Sequence, residues 1–245
     1  MSTNCAILFH QGYTDIINCI SLVGYYKHSY NKIILFCRKE MTRFINFFIK
    51  NMTNVTCIFD EQCNIDNAYL LYSNILNNVD ILFFGCHDIY RADAHKGAFG
   101  KYLHKCSFVH KFYLAYNIAF ETRILYFDFI RESELEEHYY TKMNPTNEKY
   151  ILTHTGTNAQ IDINYINNKN NYKIINLNDS SDIFFDSIKL LMNAQEIHCI
   201  DSSWAVFIYL VDSKYKFFDN VNIFIHCVRN YNFMFETDKT NWKII

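Results

Sequence analysis

Short apolar runs recur along this 245-residue chain, each followed by a longer stretch whose apolar residues fall at helical spacing. A run too short for a helix, then an amphipathic helix, then another such run is the pattern of parallel strands joined by helical crossovers. CAILFH (5–10), KIILFC (32–37), NVTCIF (54–59) and DILFFG (80–85) read as four strands. Between them, 14–27, 38–50 and 65–76 read as helices. Ile16, Ile17, Ile20, Val23 and Gly24 share one face of the first, and Phe44, Phe47 and Phe48 mark the second. From 86 to 130 the pattern loosens into an aromatic stretch. RESELEEHYYTKM (131–143) restores a helix whose early acidic residues suit the helix dipole. The single proline, Pro145, follows, and the alternation then restarts. KYILTHT (149–155), YKIINLN (172–178), EIHCID (196–201) and NVNIFIH (220–226) read as strands, with helices over 182–193 and 203–211. The end, 241–245, carries Trp242. The expectation is an α/β chain of two Rossmann-like domains, 1–145 and 146–245, divided at the proline.

Length and composition agree with that reading and remove several others. The chain is long enough for two domains of roughly 100–150 residues. Half its residues are hydrophobic, which rules out a disordered chain. Lys and Arg number 23 against 25 Asp and Glu, a net charge of −2. That balance argues against a nucleic-acid partner. The abundant Phe and Tyr then read as core rather than as a base-stacking platform. Nine cysteines, none in a CxxC pair, sit mostly inside apolar runs and read as small buried hydrophobes in a reducing compartment. Residues 1–10 lack the charged and apolar regions of a signal peptide. No run approaches the roughly 18 apolar residues of a membrane span. A cytoplasmic location follows as an expectation.

In open parallel sheets ligands bind outside the carboxyl ends of the strands, and that rule selects four turns. The first is His10-Gln11-Gly12-Tyr13-Thr14-Asp15. Gly12 would let the backbone turn tightly there. Asp15 would face the crevice from the first helical turn, where a carboxylate can take a proton from an attacking hydroxyl. Equally, Thr14 or Asp15 would simply cap the helix. The second is Asp201-Ser202-Ser203-Trp204, whose hydroxyls and helix N-terminus suit an anion such as a diphosphate, or again a cap. The third, Thr153-His154-Thr155-Gly156, offers hydroxyls and an imidazole without a GxGxxG or Walker pattern. The fourth, Asn176-Leu177-Asn178, offers amides to a base or ribose. His198, between Ile197 and Ile200, reads either as a ligand contact or as a satisfied core histidine. His87, Asp88, Asp93 and His95 read as a solvated loop, because the chain has no HExxH, no paired Cys/His spacing and no DxD. No GxSxG elbow is present either.

Taken in order, these segments resemble the GT-B glycosyltransferases, in particular the heptosyltransferase-like enzymes and their short relatives in bacteria and large DNA viruses. His10-Gln11-Gly12-Tyr13-Thr14-Asp15-Ile16-Ile17 resembles the His-x-Gly-Leu-Gly-Asp first turn of that family. The segments 112–131 and 134–140 resemble the exit from its acceptor domain, and 150–154 the strand opening its donor domain. Ile197-His198-Cys199-Ile200-Asp201-Ser202-Ser203-Trp204 resembles the donor-side core. The resemblance spans nearly the whole chain.

What the resemblance implies is two Rossmann-like domains facing a cleft, with a nucleotide-diphosphate sugar as donor, a glycan as acceptor, and neither metal nor other cofactor. Asp15 and His10 would then be catalytic. Gly12, His154, Thr155, Asn176, Asn178, His198, Asp201, Ser202, Ser203 and Arg229 would line the donor site. Two departures stand out. Tyr13 and Thr14 replace the usual Leu-Gly, and Thr153-His154-Thr155 stands where many relatives carry an arginine, a role Arg229 could take instead. The alternatives are a catalytically degenerate protein of the same fold that binds a glycan or nucleotide, and another α/β enzyme acting on a phosphorylated metabolite.

Overall fold

The computed structural model describes residues 4–9, 12–61, 79–84, 108–114, 116–156, 161, 166, 172–177, 184–228 and 240–245. The chain forms two compact units, Met1–Ile130 and Arg131–Ile245.

The first unit holds four parallel strands, β1 (Asn4–Phe9), β2 (Lys32–Arg38), β3 (Val55–Asp60) and β4 (Asp80–Phe84), in the order β3-β2-β1-β4. Central β1 is buried from Cys5 to Phe9, which is why its sequence is a continuous apolar run rather than an alternating one. Ala6, Leu8 and Phe36 form a core with Ile34, Ile58, Val79 and Ile81. After β1 comes α1 (Tyr13–Tyr26), and α2 (Thr42–Ile49) follows β2 through a 3₁₀ turn at Lys39–Met41. The expected helix over 65–76 lies outside the described residues.

Helix α1 is buried more widely than its apolar stripe foretells, because two short helices the pattern does not show close over it. These are α3 (Phe108–Leu114) and α4 (Thr122–Leu125). Tyr113 of α3 donates its hydroxyl to the Asn18 carbonyl at 2.5 Å, and Ser21 donates to the Arg123 carbonyl at 2.6 Å. These bonds satisfy polar groups on a fully covered helix face. Gly24 lets the next turn approach. A Cβ placed on it would lie 2.8 Å from the Tyr126 carbonyl oxygen.

In the second unit, α5 (Ser133–Met143) and Pro145 precede five parallel strands. These are β5 (Tyr150–His154), β6 (Lys173–Asn176), β7 (Glu196–Ile200), β8 (Asn222–His226) and β9 (Trp242–Ile244), ordered β6-β5-β7-β8-β9. The crossover helices are α6 (Ile188–Met192) and α7 (Ser203–Tyr215), the latter one turn longer than expected. Arg131 donates from Nε to buried Glu136 at 2.9 Å, with a second bond between Arg131 Nη2 and Glu136 Oε2. Phe184 stacks on Trp204 with ring centroids 4.3 Å apart, and both are buried. Strand β9 is absent from the sequence reading. Its three residues carry no period, and it is held from a distance. The buried Asp212 carboxylate accepts from Trp242 Nε1 at 2.8 Å and from the Phe218 N–H at 3.1 Å. Asn241 Nδ2 also donates to the Phe218 and Val221 carbonyls.

Five described cysteines are buried or half-buried, as expected of small hydrophobes, and Cys227 is exposed. Burial pushes the Cys5 thiol up to about 12, so it is inert as a nucleophile. Among the described residues no helix is long and apolar enough to cross a membrane.

The close approach at Gly24 gives a direct test. Gly24→Ala forces a methyl group against backbone and should destabilise the first unit by about 2 kcal/mol, the scale of an overpacked core. Urea unfolding of the variant measures this, and a loss below about 0.5 kcal/mol would mean that the Tyr126 segment simply yields.

Candidate functional site

Strand order fixes where a site can form. From β1 the chain steps to β2 and β3 on one side and to β4 on the other. From β5 it steps to β6 on one side and to β7, β8 and β9 on the other. The carboxyl ends of β1/β4 and of β5/β7 are therefore the two switch points, where ligands bind in open α/β sheets. Three of the four sequence-selected turns sit at these two places, and the fourth, at Asn176, follows edge strand β6. His10 and Gln11 lie outside the described residues.

At the first switch point α1 begins at Tyr13, so Gly12 is its N-cap and Asp15 is its third residue, an acidic side chain in the first turn. Neither Thr14 nor Asp15 is the cap. Gly12 has an ordinary extended backbone, φ −107 and ψ 147, and among the described residues a Cβ there would come nearest to Asp15 Oδ2, at 3.7 Å. The tight turn expected of this glycine is not what it provides. The Asp15 carboxylate beside it is half-buried.

The second switch point is more fully built. His154, the last residue of β5, pairs in register with Cys199 of β7. Its Nδ1 lies 3.2 Å from Ser202 Oγ, a hydroxyl–imidazole hydrogen bond that joins the two strand ends, and both residues are buried. Ser202 is the N-cap of α7, extended at φ −139 and ψ −178, yet its side chain makes no capping bond. The first bond of the helix runs from Val206 N to the Ser202 carbonyl. The N–H groups of Ser203, Trp204 and Ala205 precede it, as the unpaired donors of any helix start do. Trp204 Nε1, buried in the same turn, has no acceptor among the described residues. Thr155 and Gly156 continue from His154, and Gly156 takes a left-handed φ of 64 that favours glycine.

The other predicted contacts separate. Asn176, exposed at the end of β6, accepts a hydrogen bond from the Thr153 hydroxyl. Asp201 is fully buried and accepts from the Val228 N–H at 3.2 Å, so its carboxylate ties the end of β7 to the segment after β8. His198 is buried, stacked on Phe224 at 4.4 Å, with Nε2 3.1 Å from Glu196 Oε2 and Nδ1 3.1 Å from His226 Nε2. The satisfied-core reading of His198 describes it. Asn178, Arg229, His87, Asp88, Asp93 and His95 lie outside the described residues. Among those described, no three His, Cys, Asp or Glu side chains converge as a metal site.

His226 went unnoticed in the sequence. It closes β8 at the same rim, half-buried, opposite Ile200 in register. Burial and the neighbouring His198 push its pKa down to about 4. The alternation in NIFIH places Phe224 and His226 on one face, but only the sheet order shows that this face is also that of His198.

Among solved structures, the chain is similar to a glycosyl transferase family 9 protein from Veillonella parvula, with a TM-score of 0.60 and 8% identity over 100% of this chain and 87% of that one. No family model and no curated protein matches the sequence. The likeness shows a shared fold, with parallel sheets of the kind expected from the GT-B resemblance.

The depressed His226 pKa has a defined consequence for stability. The unfolded chain binds this proton near pH 6.5 and the folded chain only near 4, so His226 costs stability as pH falls through that window and no further below it. His226→Asn should flatten the slope of unfolding free energy between pH 6.5 and 4 relative to the parent. A ring titrating near 6.5 by NMR would contradict this.

Proposed function

We propose that this chain is a glycosyltransferase that moves a sugar from a nucleoside-diphosphate donor to a glycan acceptor. The second unit would hold the donor and the first unit the acceptor, with Asp15 as base. One observation carries the donor half. Ser202, placed to cap α7, turns its hydroxyl to His154 instead, leaving the amides of Ser203, Trp204 and Ala205 without acceptors among the described residues at the β5/β7 switch point. Outward N–H groups at the positive end of a 13-residue helix suit a diphosphate. The same amides would meet the charge that grows on the leaving nucleoside diphosphate. The fold shared with a glycosyl transferase family 9 protein supports the class of reaction.

In this mechanism the Asp15 carboxylate accepts the acceptor hydroxyl's proton as that oxygen attacks the sugar's anomeric carbon, and the bond to the diphosphate oxygen breaks. No metal is assigned a step, in keeping with a sequence that has no DxD. Gly12, which carries no side chain, sits beside Asp15.

A second reading has its own observation. His154, where relatives of the resembled family carry arginine, is a buried imidazole engaged with Ser202 rather than a mobile cation. A protein that holds a nucleotide sugar without transferring it would have this feature.

Release of nucleoside diphosphate from UDP-, GDP- and ADP-sugars, with and without acceptor glycans, separates the two. Acceptor-dependent release supports transfer, and tight binding without release supports the second reading. Asp15→Asn should lower kcat by about 10²-fold or more, the scale of a lost general base, with donor affinity kept. Ser203→Pro probes the donor half. Proline is tolerated as first residue of a helix, and the extended Ser202 is compatible with a following proline. The variant should fold, lose one amide donor and bind nucleoside diphosphate about tenfold more weakly than Ser203→Ala. Equal affinities would remove α7 from the donor site.

A further inference from the structure

Across the second sheet from the His154–Ser202 pair runs another polar chain, which the proposed reaction does not use. It begins at Glu196, at the amino end of β7, passes through His198 and ends at His226, at the carboxyl end of β8. Each contact is 3.1 Å. The middle ring is clamped as well as bonded, lying nearly parallel to Phe224 at 7°. Lys243 of β9 covers the same phenyl ring, 5.2 Å from its centroid.

Buried polar side chains are costly unless paired, so a chain this long inside a sheet is either structural or it delivers something to its open end. The open end is the functional rim. His226 faces Ile200 in register, and the Asp201 N–H donates to the His226 carbonyl at 3.1 Å, so its backbone lies beside the turn that starts α7. One ring nitrogen is committed to His198. Nδ1, the other, makes no hydrogen bond to any described residue, and the residue is only half-buried.

From this geometry we infer that His226 is a further donor-binding residue, one that hydrogen-bonds through Nδ1 to the uncharged nucleoside part of the donor, with His198 and Glu196 positioning its ring. The inference rests on the reading of the second unit as the nucleotide half.

Its chemistry separates nucleoside from diphosphate. Two imidazoles 3.1 Å apart cannot both be protonated without strong repulsion, and burial adds to the cost of placing charge on His226. His226 therefore stays neutral through the physiological range. A neutral ring gives little to an anion. To a ribose hydroxyl or the edge of a base it gives one directional hydrogen bond, and its ring is held in place before the ligand arrives.

The test uses the full chain, with titration calorimetry against UDP, GDP and ADP in turn and against inorganic pyrophosphate. For the nucleotide that binds best, His226→Ala should weaken affinity by about fivefold to tenfold, the worth of one hydrogen bond, while pyrophosphate affinity stays unchanged. His226→Asn, which sets an amide near the place of Nδ1, should recover most of the loss. Glu196→Gln should move the ring-nitrogen chemical shifts of His226, which report its tautomer, and a role in packing alone would leave them fixed. Unchanged nucleotide affinity in His226→Ala, or an equal loss for pyrophosphate, overturns the assignment while leaving the donor reading intact. A parent chain that binds none of the three nucleotides overturns both.

Discussion

A parallel sheet can place a ligand only where its own connections leave room. Every strand of the second unit sends its chain onward from the carboxyl end, and crossovers between parallel strands are right-handed. β5 steps to one neighbour and β7 to the opposite side, so their connections leave over opposite faces and the two turns part. Everything proposed for this half depends on that divergence. The His154–Ser202 hydrogen bond closes the floor of the gap between the strand ends. By drawing the Ser202 hydroxyl away from α7 it also leaves the helix start chemically open. A serine that capped its helix would have occupied one of those amides.

The polar groups behind these turns are arranged by the same economy of the sheet. Thr153, His154, His198 and Asp201 are all buried, three within two adjacent strands and Asp201 just past the end of one. Each finds a partner: Asn176, Ser202, the Glu196–His226 pair, and the Val228 N–H. Unpaired, such groups would each cost about 1–3 kcal/mol. Paired, they fix the turns from below. None of the described residues in these turns is lysine or arginine. What these turns do present, among the described residues, is main-chain amides, hydroxyls and an imidazole held in place by buried bonds, groups that need little ordering on binding.

Most strands and the long helices were legible because central parallel strands are buried on both faces and so write themselves as apolar runs, as Cys5–Phe9 does. What escaped is held by contacts distant in sequence. β9 exists because Asp212 receives the Trp242 indole from 30 residues away. α3 and α4 exist because Asn18, Ser21 and Gly24 accept them on a helix face that local pattern alone would have called half-exposed. Pro145 follows α5 and precedes β5, both within Arg131–Ile245. A proline reports the end of a helix, whereas the division of a chain into units is a property of contacts.

The site divides along the same line. Turns at switch points can be guessed from strand ends, and the segments at 12–15, 153–156 and 201–204 do follow β1, β5 and β7. What each residue does there depends on which strands are neighbours. Gly12 looked like a turn-former and adopts a backbone open to any residue. His198 looked like a contact, yet the ring at the rim is His226, one strand over. The two histidines lie 28 positions apart, and no periodicity links them. They meet because β7 and β8 pair with His198 opposite Phe224, so that the next residue of β8 on that face, His226, comes level with Ile200. A shift of one residue in that register would turn His226 to the other face and leave His198 with a buried nitrogen and no partner. The chain from Glu196 to the rim is therefore set by the pairing of two strands, and the chemistry offered at its end is set with it.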